Sequence, residues 1–146
     1  MKKLCLLLVI FSMFACEQDD NDGVALNEAN LQAEWFMVSA KHGSNDYVVY
    51  RSNCTSKADH ILLAADGVAK TVKYYTSCEE STDNTPATWS LNGKILTFTD
   101  SNTDAQFGGE FEVKVLSDYN LSLIQTEILD VPEQTKVLHI YNFKRN

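Results

Sequence analysis

The chain reads as an all-β protein, an antiparallel up-and-down meander of eight or nine strands that closes into a barrel. Three observations lead there. Between residues 34 and 143, short runs rich in Val, Ile, Thr, Tyr and Phe follow one another at the spacing of hairpin-linked strands. The dipeptides Asp66-Gly67 and Asn92-Gly93 each lie between apolar runs and offer the positive φ that tight hairpin turns require. No stretch of the domain sustains the 3.6-residue apolar period of a long helix. A meander of this length loses its exposed edges only if its outermost strands pair, so closure is the expected ending.

Taken in order, Asn27 to Ala33 combines helix formers with a capping Asn, which predicts one or two helical turns. Strands are expected over 34–41, 46–51, 60–65, 68–76, 87–91, 94–99, 107–116, 119–126 and 135–143, with Ser117-Asp118 as a third hairpin. Phe111, Val113 and Val115 alternate with Glu110, Glu112 and Lys114, so one face of that strand should be buried and the other wet. The last run is apolar on both sides: Val137, His139, Tyr141 and Phe143 share one face, Leu138 and Ile140 the other.

Ahead of this domain, Met1-Lys2-Lys3, the apolar run Leu4 to Phe14, and Ala15-Cys16 have the charged head, apolar centre and small-residue exit of a secretory signal peptide. The apolar centre is shorter than the roughly 20 residues of a membrane span. Ala15-Cys16 resembles the lipobox of bacterial lipoproteins, whose cysteine sulfur receives a diacylglycerol. The resemblance implies a leader at 1–15, lipidation at Cys16, an acidic tether at 16–26 and a folded domain at 27–146. Two or three acyl chains anchor a protein stably where one holds it marginally. Glu17 to Gly23 carries no large apolar side chain and cannot fold alone. It reads as a solvated tether, or as similar to the acidic export tags of surface-exposed lipoproteins in certain Gram-negative bacteria. The expected location is therefore the outer membrane, facing the medium.

The formal net charge is −8, and loss of Lys2 and Lys3 with the leader leaves 10 basic side chains against 20 acidic ones. Such a surface repels phosphate backbones, which argues against nucleic-acid binding. About 120 residues suit one core, expected as a monomer. Cys5 leaves with the leader and Cys16 is taken by lipid, so Cys54 and Cys78 remain as the expected disulfide of an oxidising compartment. Two cysteines without further ligand spacing make a poor metal set, and no metal or cofactor is expected.

Leu31-Gln32-Ala33-Glu34-Trp35, the two cysteines flanking a strand, Asp-Gly turn and strand over Ile61 to Tyr75, and the hairpin Ala87 to Thr97 together resemble a family. It is that of the lipocalin-like domains of small bacterial lipoproteins and, more distantly, the lipocalins. Ala33 stands where lipocalins carry Gly. The resemblance implies a late Arg packed over the first-strand Trp, for which Arg145 is the candidate, and a small apolar or amphipathic ligand.

Trp35, Tyr74, Trp89, Phe98, Phe111, His139 and Tyr141 are the candidate barrel-lining residues. A small barrel is either filled by such side chains or left with room for one small molecule. His139, between Val137 and Tyr141 on its face, reads as a core histidine with a satisfied hydrogen bond, and His42, before Gly43-Ser44-Asn45, as a loop residue. None of the three histidines has a recognisable catalytic partner in sequence, so no enzymatic activity is expected. The alternative to ligand binding is a filled barrel acting as an envelope interaction or assembly subunit.

Overall fold

The computed structural model describes residues 23–81, 86–100, 108–128 and 136–145; the leader, Cys16 and most of the tether lie outside them. A short helix α1 (Glu28–Leu31) precedes nine strands: β1 (Glu34–His42), β2 (Val48–Val49), β3 (His60–Leu63), β4 (Val68–Val72), β5 (Pro86–Asn92), β6 (Ile95–Asp100), β7 (Gly109–Leu116), β8 (Asn120–Ile128) and β9 (Lys136–Lys144). Every neighbouring pair is antiparallel. Strand β1 pairs with β9 from Phe36↔Lys144 to His42↔His139, which closes eight strands into a barrel. The ninth, β2, lies beside the upper half of β1, above the level at which β3 begins.

One end of the barrel is shut by the chain's own entry. The Asn27 side chain caps α1 by accepting the Asn30 amide at 2.9 Å, a contact worth about 1 kcal/mol. The helix delivers Leu31, fully buried, into the barrel base, where burying a leucine contributes roughly 1.5–3 kcal/mol. One turn later Trp35 donates its indole N–H to the Leu31 carbonyl at 2.8 Å. The Arg145 guanidinium lies 5.5 Å from the Trp35 ring and is held by the Asp118 carbonyl and carboxylate. A cation over an indole contributes roughly 0.5–2 kcal/mol. Ala33, despite its extra methyl, still accepts the Leu63 amide at 3.0 Å. Val24 and Leu26 pack against the same core, so the chain enters the domain at this closed end.

Turn chemistry departs from the expected two-residue loops in instructive ways. At the β3–β4 hairpin, Gly67 (φ 77°) follows a turn in which its amide bonds the Ala64 carbonyl, and the loop takes three residues with the glycine as the left-handed member. At β5–β6 the turn sits one residue later than the Asn-Gly dipeptide: Asn92 still pairs with Ile95, and Gly93 (φ 59°) and Lys94 form the loop. In β7 a register shift between Val113 and Val115 turns the alternation over. Val115, expected inside, is 40% exposed, and Leu116 takes the inward place.

The 46–51 strand is reduced to Val48–Val49, and the 68–76 strand stops at Val72. Both chains leave the sheet there to meet in one loop cluster. Cys54 and Cys78 form a disulfide between the two loops. Closing 24 residues of separation contributes about 3–4 kcal/mol in the chain-entropy account. Beneath it Asp59, buried to 7% exposure, accepts from the Tyr50 hydroxyl at 2.5 Å, the Ser52 hydroxyl at 2.7 Å and the Tyr74 amide at 2.9 Å. One carboxylate thus ties three points of the cluster together, each hydrogen bond satisfying a group that burial has taken from water.

Burial, followed by the hydrogen bond and charge of Asp59, pushes the Tyr50 phenol above its ordinary range. A raised folded value keeps its stabilising effect below the unfolded phenol's range, near pH 10, and loses it as pH climbs toward the folded value. Urea midpoints measured between about pH 9 and 11 should fall more steeply for the native protein than for Tyr50→Phe. Parallel slopes would contradict this role for Tyr50.

Candidate binding site at the open end of the barrel

From the closed end upward the interior is occupied by side chains. Trp35, Phe111, Phe143, Leu63, Leu96 and Leu123 are all at most 2% exposed. A gap beside the Asp59 cluster, lined by Met37, Tyr50, Asp59, His60, Ile61, Thr71, Lys73 and Phe143, measures about 20 Å³, close to the space one water needs. No acyl chain or ring fits there.

The room lies higher, at the opposite end. A basin of about 430 Å³ is lined by His42, Gln125, Thr126, Glu127, His139 and Tyr141, within the size range of small-molecule sites. Each lining residue arrives by strand register. Closure sets His42, the last residue of β1, opposite His139 near the start of β9, and the β8–β9 ladder sets Gln125 opposite His139. Alternation then points Glu127 and Tyr141 to the same side.

The floor of the basin continues the core as a ladder of edge-to-face rings. Phe98 meets Phe111 at 5.6 Å, Phe111 meets Tyr141 at 5.9 Å, Tyr141 meets His42 at 5.8 Å, and His42 meets His139 at 5.1 Å. Such contacts add roughly 0.5–1.5 kcal/mol each to area burial for aromatic pairs. Polarity enters only at the top of the ladder. Burial, and after it the Glu127 carboxylate, push the Tyr141 phenol upward, so the hydroxyl stays a donor at neutral pH.

A chain of hydrogen bonds crosses the rim. Glu127 Oε2 lies 3.0 Å from His139 Nε2, and His139 Nδ1 lies 2.8 Å from His42 Nδ1. A carboxylate only accepts, which assigns the Nε2 proton to His139; in the tautomer with Nδ1 bare, that atom accepts from His42 Nδ1–H and His42 keeps Nε2 as an acceptor. The Glu127–His139 pair is partly exposed, with side chains 55% and 16% accessible, so its value is orientation more than stability.

The structure sorts the sequence-derived lining residues into three groups. Trp35 and Trp89 fill the closed half, Trp89 donating its indole N–H to the Ala64 carbonyl at 3.0 Å. Phe98 and Phe111 lie below the basin, and His139 and Tyr141 line it. Tyr74, expected inside, stands elsewhere: its ring lies tilted beside His60 at 6.4 Å and carries Lys57 at 5.1 Å. His60 and Phe36 alternate with the inward Ile61 and Trp35, so Tyr74 belongs to the outer layer under the disulfide loop. His42 ends a strand where a loop residue was expected. Its partnership with His139, 97 residues away, shows only once the first and last strands are paired and counted.

Comparison with known proteins agrees with this architecture. No curated protein matches the sequence. The fold is similar to the crystal structure of a lipocalin-like protein from Bacteroides uniformis, with 16% identity and a TM-score of 0.54 over 80% of this chain and 99% of that one. It is also similar to an uncharacterized protein from Bacteroides eggerthii, with 12% identity and a TM-score of 0.55 over 79% and 98% of the two chains. The family model of the lipocalin-like domain matches residues 31–123, from the base of the barrel to the middle of β8. On that match, which spans more than half of its length, the chain belongs to the lipocalin-like domain family.

Proposed function

We propose that this protein is a lipid-anchored binding domain of the bacterial envelope that holds a small amphipathic molecule in the basin at the barrel's open end, without acting on it chemically. The observation that carries this reading is the basin of about 430 Å³ next to a core of buried aromatic and leucine side chains. The filled interior limits the ligand. A long acyl chain does not suit it, because the core beside the basin is packed with buried aromatic and leucine side chains and the gap at Met37, Ile61 and Phe143 admits about 20 Å³. What suits the site is a compact molecule with one apolar face for the Tyr141 and His42 rings and polar groups for Gln125, Thr126 and the Glu127–His139–His42 chain.

The anchoring part of the proposal fits the path of the chain. Val24 and Leu26 pack at the closed end, so a lipid on Cys16 would hold that end toward the membrane and turn the basin outward. The residues between Cys16 and Gly23 reach about 25 Å when extended, enough to lift the barrel clear of the headgroups.

A second reading, an interaction subunit, has its own support. Tyr47, Val48 and Val49 are each more than half exposed, and β2 pairs only with β1. Exposed apolar edges of this kind accept an added strand.

The mature protein, extracted in detergent from its own cells and examined by native mass spectrometry, should carry a releasable small molecule. Tyr141→Ala should lower its occupancy roughly tenfold, the loss expected for one well-packed ring. A mass that accounts only for polypeptide and acyl chains would sink the binding reading and leave the edge strand as the functional surface. Separately, Cys16→Ala should move the protein out of the membrane fraction or stall its processing. An unchanged membrane fraction would refute the anchor.

A further inference from the structure

At the rim of the basin two histidines from opposite ends of the sequence meet. His42 and His139 are direct cross-strand partners of the β1–β9 seam, and their Nδ1 atoms face each other at 2.8 Å. Behind His139, on the far side of the ring, the Glu127 carboxylate accepts from Nε2–H, with Oε2 3.0 Å from Nε2. A carboxylate bonded to the distal nitrogen of an imidazole is the usual support of a metal-ligating histidine, because it fixes the tautomer and raises the basicity of the ligating atom.

We propose that His42 and His139 form a two-histidine clamp for a divalent transition cation, with Glu127 as the positioning residue behind His139. Two nitrogens in adjacent positions of a tetragonal cation, at metal–nitrogen distances of about 2.0 Å, stand about 2.8 Å apart. The two Nδ1 atoms already have that separation, and both rings must turn so that lone pairs aimed along the hydrogen bond converge on the ion instead. A tetrahedral zinc ion would need about 3.3 Å, a small rotation of the exposed His42 ring away. Tetragonal geometry and imidazole ligation both favour Cu²⁺, the tightest binder of the divalent first-row series.

Proton bookkeeping is simple. The single proton shared between the two Nδ1 atoms must leave the gap, and His42 moves it to its own Nε2, so a neutral pair binds the ion without releasing a proton. His139 already has the required tautomer through Glu127. The two disulfide sulfurs do not compete, and among the described residues no three His, Cys, Asp or Glu side chains converge on one point. Among the described residues the two histidines fill two positions, and the others are available to water or to the carboxylate, hydroxyl or amine of a bound molecule.

The clamp does not rest on the ligand proposed above, since the ion is tested alone. The untagged full-length chain, with any free thiol alkylated, is titrated with Cu²⁺ and followed by electron paramagnetic resonance and calorimetry. One ion per chain is expected, with two nitrogen donors in the spectrum. His42→Ala and His139→Ala should each weaken binding at least tenfold and remove one donor, Glu127→Gln should weaken it about tenfold while both donors remain, and His60→Ala should change nothing. Neither rim histidine belongs to the buried core, and circular dichroism of the variants verifies the fold. Unchanged copper affinity in the His42→Ala/His139→Ala double variant, or a donor lost with His60 instead, would overturn the clamp. A failed copper titration leaves the basin's small-molecule role standing, and a bare polypeptide mass leaves the clamp standing.

Discussion

The pairing of β1 with β9 is the constraint on which the rest of this molecule depends. Without it the meander would be an open sheet with two unpaired edges and a hydrophobic face too wide for one short helix to cover. With it, the register from Phe36↔Lys144 to His42↔His139 satisfies both edges and wraps the apolar face around Trp35, Phe111 and Phe143. The same register has a second effect at each end. At the base it carries Arg145, just past β9, to the face of Trp35. At the rim it places two histidines from distant parts of the sequence in hydrogen-bond contact.

How the interior is filled then decides where recognition can occur. An eight-stranded barrel has room for either side chains or one small ligand, and the buried core of this one is built largely of aromatic and leucine side chains. The ladder Phe98–Phe111–Tyr141–His42–His139 runs from dry core to wet rim and changes character at Tyr141, where the first hydroxyl appears. Below that level the barrel is a scaffold. Above it, every lining side chain carries a polar atom, and the disulfide with the Asp59 hub steadies the loops at the same end. Rigid walls beneath a polar rim are what a site needs to hold its groups in place.

Much of the fold was legible because strands and turns write locally. The positive φ at Gly67 and Gly93, the inward Phe111 and Val113 of β7 and the helix cap at Asn27 depend on neighbours in sequence, and each expected strand has a counterpart. The misreadings share a cause, which is that long-range contacts moved a boundary. The bulge in β7 exchanged Val115 for Leu116, and the disulfide with Asp59 drew the chain out of the sheet after Val49 and Val72. Tyr74 went to the outer layer for the same reason, its amide held by Asp59. The site was harder to read than the fold. His139 and Tyr141 could be picked from one strand, but His42 and Glu127 acquire meaning only through pairings that a local pattern does not display. Pairing the first strand with the last, residue against residue, would have found them.

Amide hydrogen exchange across the seam tests the account most directly, since barrel closure and the rim site stand on one set of pairings. The paired amides of residues 36–42 and 139–144 should exchange as slowly as those of the central strands β7 and β8, opening only with global unfolding. Exchange of the seam at the rate of the loops, while β7 and β8 stay protected, would show an open sheet and contradict both the barrel and the site built on its closure.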